Sequence, residues 1–487
     1  MQENLFFIKT QTPLHIGCDE VYEPVSFVVD EDQKVLISFD PIDFISRLSE
    51  KDKKEFSDIC REGTIQSLLK LNKFMRGKKV GGYPVALCSG FIEHYRENLA
   101  MKSDDVKKIQ QEINQFTVMR TAFLENTNEP YIPGSAVKGA LRTACLNALA
   151  KTAGRVDYNS RDKGAASHLE KKLLKFTDPG NDPFRMVKVS DFLPVCFDKR
   201  IVYAVNEKKK ESKFAARGPY QILEIIEPGA VFVGTLKVEQ PPSRETGIQM
   251  PLSIPAVLKS AAFFYSKEKQ REEKELSQAG LPEAKLQMGG EHYPMRIGRH
   301  SGAESVTIEG YRDIKIMGGK GRTTFSNKGA GTFWLAAERK KDWNKMQLQP
   351  FGWVCLGKVD EKLAAEFDQL KEKQREKADA VRSNLLTKGE PSGSLESTSF
   401  IPPPPVEDVW DNAQVSYDAG GAGKISAQMQ GKPGASLAGK GNRENLKAAV
   451  VEGLHKNLFE RKKPVKARVT VRKTGNAWEI VRVEPAA

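Results

Sequence analysis

Between Tyr131 and Arg142 the chain reads YIPGSAVKGALR. Ile132-Pro133-Gly134-Ser135 has the composition of a turn that delivers a helix start. The first helical turn then carries Lys138 where a capping glutamate is expected, and Arg142 follows one turn on. A helix N-terminus already presents unpaired N–H groups and about half a positive charge, so further cations beside it are unfavourable unless an anion docks there. Gly134, Ser135, Lys138 and Arg142 therefore read as a phosphate-binding set. The plainer alternative is a pair of solvated cations. A Walker A loop is a poor fit, because Ala140-Leu141 occupy the places of the required Lys and Ser/Thr.

A second set lies in RIGRHSG. Gly298 and Gly302 would let a backbone approach phosphates closely, and Arg296, Arg299, His300 and Ser301 would supply donors around them. An ordinary basic loop is the competing reading. His15, in PLHIG, could act as a general base in RNA cleavage, but its place at a strand-to-loop transition beside Gly17 favours a hydrogen-bonded structural histidine. Asp19 and Asp40 could hold a metal, yet no paired acidic cluster of the kind a two-metal nuclease needs is visible. No catalytic residue, metal ligand or cofactor is assigned. Phe333, Trp334 and Trp353 read as core, whereas Trp478 sits in a basic hairpin where it could stack on a base.

These residues need elements to hold them. LFFIKTQTPLHIG reads as an opening strand, and VSFVV and KVLISF as two short strands around a polar turn, followed by a helix capped by Asp40. From about 50 to 130 the pattern is mostly helical, an insertion ahead of the main motif. In 135–151, Val137, Leu141, Ala144, Cys145 and Ala148 share one face at helical spacing, with Ser135, Lys138 and Arg142 on another stripe. Strands follow in FRMVKVSDF and, after the basic loop NEKKKESKFAARG, in YQILEIIEPGAVFVGTLKVE. A helix beginning IPAVLKSAAFFY ends in the charged run SKEKQREEKELSQAG, read as a solvated face. The stretch 359–386 reads as a charged helix with Leu363, Phe367 and Leu370 as its seam.

Composition then breaks. Residues 388–442 are rich in Pro and Gly and read as a low-complexity linker that is at most partly ordered. Residues 443–487 read as a helix and a hairpin, VKARVTVRK and AWEIVRV around a glycine turn. This appendix holds eleven Lys and Arg against five Asp and Glu, which is nearly half of the chain's excess charge. It reads as a small phosphate-contacting module on a flexible tether.

The whole chain of 487 residues carries 76 Lys and Arg against 63 Asp and Glu, a formal charge of +13 that favours a polyanionic partner. With 39% hydrophobic residues it can build real cores. No apolar run approaches a membrane span, and MQENLFFIKT has no basic leader region, so a cytoplasmic protein is expected. Six cysteines stand singly, without a CxxC pair or histidines at ligand spacing, and are expected to be reduced and mostly buried.

IPGSAVKGALR resembles the helix motif of the RAMP superfamily of CRISPR-associated proteins, and PLHIG and EIIEPGAVFVG resemble that superfamily's other marks. RIGRHSGAESVTIEGYR, TTFWLA and PFGW look closer to one branch, the fifth subunits of type III-A Csm effector complexes. The resemblance spans about residues 1–358. It implies an α+β fold of ferredoxin-like (RRM-like) units in two degenerate copies, with a RAMP domain over 1–245 and a second, degenerate region over 246–387. It also implies a non-catalytic subunit that caps the backbone filament near the 3′ end of the crRNA. Its partners would be the crRNA, other Csm-type subunits, especially the backbone RAMP subunit, and target RNA. Two other readings stay open at this point: a RAMP-type endoribonuclease, and a stand-alone single-stranded RNA-binding protein.

Overall fold

The computed structural model describes residues 4–486 apart from 102–105, 155, 157, 161, 211–215, 217, 242, 244–245, 287–291, 318–322, 373–406, 419–423, 430–431, 433, 439–443 and 475–476. Two compact units divide the chain, Met1–Ser383 and Asn384–Ala487. Both are mixed α and β, the α+β class expected.

The first unit is built on two sheets. In the six-stranded one the order runs His292–Arg296, Trp353–Lys358, Leu5–Thr10, Val231–Val238 and Val187–Val189, with Leu193–Cys196 also on Val231–Val238. Every pairing is antiparallel, and Phe6 stands between Lys358 and Gly234. Alternation along LFFIKT sends Phe6, Ile8 and Thr10 inward. The helices Gly134–Thr152 and Ile254–Gln278 cover this sheet through Val137, Leu141, Val257, Ala261 and Phe264. They also meet each other, the Tyr265 hydroxyl donating to the Ala140 carbonyl at 3.2 Å.

The larger sheet has nine strands. Gly17–Val21, Val118–Thr121, Gln221–Ile226, Lys199–Lys208, Tyr83–Leu87, Val35–Ser38 and Phe27–Asp30 follow in order, Thr332–Ala337 also pairs with Lys199–Lys208, and Gln349–Pro350 pairs with Thr332–Ala337. Tyr203, Ile222, Leu223, Phe333 and Phe351 fill its core. After the helix Pro41–Arg47, the helices Glu50–Glu62, Ile65–Met75, Phe91–Leu99 and Val106–Gln115 account for the expected insertion, which also supplies two strands to this sheet. Asp40 caps the first of these helices, its carboxylate accepting from the Ile42 N–H at 2.8 Å.

Two expectations fail here. The proposed boundary at 245/246 cuts through a sheet, because Leu5–Thr10 pairs directly with Trp353–Lys358. The charged end of Ile254–Gln278 is not a solvated face either: Glu268, Lys269 and Glu272 are buried. A stripe of glutamates at helical spacing is buried when guanidinium groups from elsewhere in the chain meet it, as described below.

The second unit overturns the linker expectation where it is described. Within 388–442 lie three strands, Glu407–Asp418, Lys424–Gln428 and Ala435–Ala438; residues 388–406 fall outside the described residues. With Val465–Thr474 and Ala477–Pro485 they close a five-stranded barrel around Trp410, Val415, Ile425, Val469 and Ile480. Small interior residues, Ala413, Ala427, Ala435 and Ala467, let so narrow a barrel close. The expected hairpin is present, but the expected helix is broken into Glu444–Ala448, Glu452–Leu454 and Lys456–Glu460.

Among the described residues no helix is long and apolar enough to cross a membrane. Of the cysteines, Cys88, Cys145 and Cys355 are buried, while Cys60 and Cys196 are exposed.

Candidate nucleic-acid interface

The helix start is largely answered from within the protein. Gly134 packs so closely on the strand beside it that an added Cβ would stand 2.5 Å from the Val189 carbonyl oxygen. Its N–H donates to the Asp191 carboxylate at 2.8 Å, so the anion favoured by the helix dipole is in part a side chain of the same chain. Arg142 does not face outward. Its guanidinium is held by Glu170 at 2.7 Å and Asp182 at 2.8 Å and lies over the Phe184 ring. The expectation of an Arg142–phosphate contact is therefore corrected: this cation is shared between two carboxylates of the same chain. Ser135 is exposed, and Lys138, half-buried, has no ion-pair partner among the described residues. Burial lowers the Lys138 pKa, with Lys188 and Arg142 nearby adding to the effect against Asp182. An unpaired ammonium beside other cations is a position from which an incoming phosphate gains.

The RIGRHSG loop joins the two sheets of the first unit. Gly298 has φ +82°, and a Cβ there would stand 2.5 Å from the His15 carbonyl oxygen, so its glycine lets two protein backbones meet. The Arg299 N–H donates to that same carbonyl at 2.8 Å. His300 is itself left-handed at φ +64°; its ring stacks on Trp334 with centroids 4.4 Å apart, and its Nε2 lies 3.0 Å from Gln221 Oε1. Burial pushes the His300 pKa down to about 3, with Arg299 and His15 adding to it. Ser301 is buried, and Gly302 has φ +82°.

Arg296 is the second correction. Its side chain is buried, paired with Glu272, and its Nε donates to the Phe351 carbonyl at 2.9 Å. Glu272 also accepts from Trp353 Nε1 at 2.6 Å. One turn earlier Glu268 pairs with Arg312 and Arg271, and Glu304 pairs with Lys209. Burial would raise the Glu304 pKa, but Lys209 and Arg271 outweigh it and hold the group down at about 2. The cleft of about 460 Å³ beside the loop is thus lined largely by ions paired within the protein, Lys209, Arg271, Glu272, Arg296 and Glu304, with Lys315 exposed at its edge. Of the loop's two arginines only Arg299 is exposed, its guanidinium 3.4 Å from the Met119 sulfur.

His15 is 1% exposed, its Nδ1 2.7 Å from the Glu224 carbonyl oxygen, with its pKa lowered by burial. It is the structural histidine expected. Phe333 and Trp353 are core as expected, Trp334 lines the cleft, and Trp478 is half-buried. Among the described residues no group of three His, Cys, Asp or Glu could share a metal ion.

The two candidate sets are not brought together by any contact between them among the described residues. Lys138 and Arg142 face Glu170, Asp182 and Lys188, while the 296–302 loop lies over His15, Gln221 and Trp334. Sequence reasoning missed the buried carboxylates Glu224, Glu268, Glu272 and Glu304. Glu268 and Glu272 carried a signal, their helical spacing with Glu275, whereas Glu224 on the strand Gln221–Ile226 and Glu304 beyond the loop carried none.

Two solved structures overlap the chain at low identity. A chain of the "Cryo-EM structure of Csm-crRNA-target RNA ternary complex in type III-A CRISPR-Cas system" matches with TM-score 0.48 at 17% identity, covering 73% of this chain and 100% of that one. The "Crystal structure of T.onnurineus Csm5" matches with TM-score 0.41 at 16% identity, covering 72% and 99%. In sequence the chain is 26% identical to the "CRISPR system Cms protein Csm5" of Methanocaldococcus jannaschii over 215 residues, 42% of this chain and 46% of that protein. It is 27% identical over 312 residues to the protein of the same name from Streptococcus thermophilus, 61% of this chain and 78% of that protein. It thus spans under half the length of the first relative and over three quarters of the second. A model described as the RAMP superfamily matches residues 7–309, more than half of the chain, and the chain belongs to that superfamily.

Proposed function

We propose that the protein is a non-catalytic guide-RNA-binding subunit of a type III-A CRISPR effector complex, capping the backbone filament near the 3′ end of the crRNA. The observation that carries the reading is the match to two relatives named Csm5, over 312 residues in one case. Its partners in this reading are the crRNA, the other Csm-type subunits and target RNA. Sequence-independent RNA binding is supported by the excess of cations and by the open donors Ser135, Lys138 and Arg299. A non-catalytic role is supported by the burial of His15, which keeps its imidazole from a ribose hydroxyl.

In the same reading the six-stranded sheet is the ferredoxin-like unit. Four of its strands follow the order fourth, first, third, second, and the two helices lie between first and second and between third and fourth. The nine-stranded sheet would be the degenerate copy, extended by the helical insertion.

Co-expression of the tagged chain with Csm-type subunits and a guide RNA tests the assignment, and capture of subunits and RNA in one particle is the expected result. Recovery of the chain with RNA but without those subunits would favour a stand-alone binder. Incubation with labelled RNA, with and without magnesium, should leave the RNA intact. Robust cleavage abolished by His15→Ala would overturn the non-catalytic reading.

A further inference from the structure

The barrel of the second unit has a strand order that carries meaning. Its five strands run first, second, third, fifth, fourth and back to first, with the third and fifth parallel and all other pairs antiparallel. The helical segment between third and fourth strands closes the interior with Leu446, Val450 and Leu458. This is the topology of the OB fold, whose face on the second and third strands takes oligonucleotides or oligosaccharides. Topology alone does not make a site, so the surface has to decide.

Early on the first strand Val409 is exposed and Asp411 is paired with Arg468, but from Gln414 on the outer face of the first three strands is polar. Ser416, Ser426 and Ser436 stand in register across it, with Gln414 opposite Gln428 in the adjoining row. Asp418 opposite Lys424 closes that face. Along one margin the charge changes. Lys466 pairs in register with Gln414, and Arg461, Lys462 and Lys463 precede it. The Phe459 ring packs on Tyr417 with centroids 5.0 Å apart, which holds this segment beside the end of the first strand. All four cations are exposed, and none has a carboxylate within ion-pair distance among the described residues. Other cations of the barrel are neutralised, Arg468 by Asp411 and Lys432 by Asp408. Lys447 and Lys456, on the helical segment, are also exposed without an ion pair among the described residues, but four of the unpaired cations are gathered at this one border. Trp478, at the rim, rests on Trp410 with centroids 6.1 Å apart and is only half-buried.

We infer that the second unit binds a single strand of nucleic acid, its phosphates along Arg461–Lys466 and its sugars and base edges over the Ser and Gln rows. A row of cations spaced along a backbone beside hydroxyl and amide donors fits a polyanion, whereas a neutral oligosaccharide gains nothing from the cations. The inference stands without the proposed function, because nothing in it uses the first unit.

The test uses the full chain and oligomers of about twelve nucleotides, within the site size of such barrels. One arm carries 4-thiouridine in an oligo-uridine, the other 4-thiothymidine in an oligo-thymidine, so that RNA and DNA are distinguished. Crosslinked peptides should come from within residues 424–482, and binding measured by anisotropy should survive competition by a blunt duplex. Lys463→Gln together with Lys466→Gln should lower the slope of log affinity against log salt by about 1.4, with an unchanged circular dichroism spectrum. Crosslinks confined to residues 4–372, an unchanged slope, or equal competition by the duplex would overturn the inference. Failure of the chain to join a Csm particle would not touch it.

Discussion

Asp191 and Asp182 bring to the start of the Gly134–Thr152 helix the negative charge that its dipole favours, and Arg142 completes that arrangement with Glu170. Arg142→Ala should therefore destabilise the fold by about 1–3 kcal/mol, read from urea unfolding, because it strands carboxylates that are largely covered. Lys138→Ala should cost under about 0.5 kcal/mol and instead lower the salt slope of RNA binding by about 0.7. The reverse pattern would exchange their roles. The motif's spacing showed where the cations stand, but whether each meets a carboxylate depends on residues 28 and 40 positions away. His300 makes a pH prediction. Its ring is held neutral, down to about 3 against 6.5 for an exposed histidine, so below pH 6.5 the unfolded chain takes up a proton that the folded one refuses. Stability present at pH 7 should fall steadily as pH drops from 6.5 toward 3, and His300→Gln should flatten that decline in urea midpoints. His94, lowered to about 4 chiefly by burial, adds to the same slope.

At the scale of elements, the Ile254–Gln278 helix works as an ionic spine. Glu272 and Glu268 on successive turns receive Arg296 from the glycine-rich loop and Arg312 beyond it. Glu272→Ala would leave the Arg296 guanidinium buried without its counter-charge and should cost about 3–5 kcal/mol in thermal or urea unfolding. Gly298→Ala tests the other anchor of the loop. Both its positive φ and the close His15 carbonyl oppose a side chain, so a loss of about 1–3 kcal/mol is expected. A variant of unchanged stability that failed only to bind RNA would return Gly298 to the role first read from the sequence. The helices and most strands of the first unit were legible because their apolar periodicity reflects local burial: Val137, Leu141, Ala144 and Cys145 are buried as read. The buried glutamates were not, since a charged stripe looks the same in sequence whether water or arginine faces it.

For the whole molecule, division into a large unit and a small basic one was legible from composition, but the break was placed too late and its meaning misjudged. The Pro- and Gly-rich composition of 388–442 read as tether and hid strands in which Ser, Gln, Ala and Val recur. A barrel this narrow needs small interior residues, and Trp410 with a few β-branched side chains supplies its bulk. A fragment of residues 384–487 should accordingly show a cooperative thermal transition by itself. A featureless melt by circular dichroism would mean that its core is insufficient.

The opening strand has a consequence for the chain's synthesis. Leu5–Thr10 is made first, yet it lies at the middle of its sheet, and its neighbours arrive only with Val231–Val238 and Trp353–Lys358. At about 5–20 residues per second a ribosome needs roughly 20–70 s to reach the last of these. For that interval the LFFIK segment has both edges unsatisfied, an invitation to pair with another nascent chain. Ribosome-bound chains stalled near residue 300 should be digested readily by protease, and those stalled beyond residue 400, with Lys358 clear of the exit tunnel, should resist it.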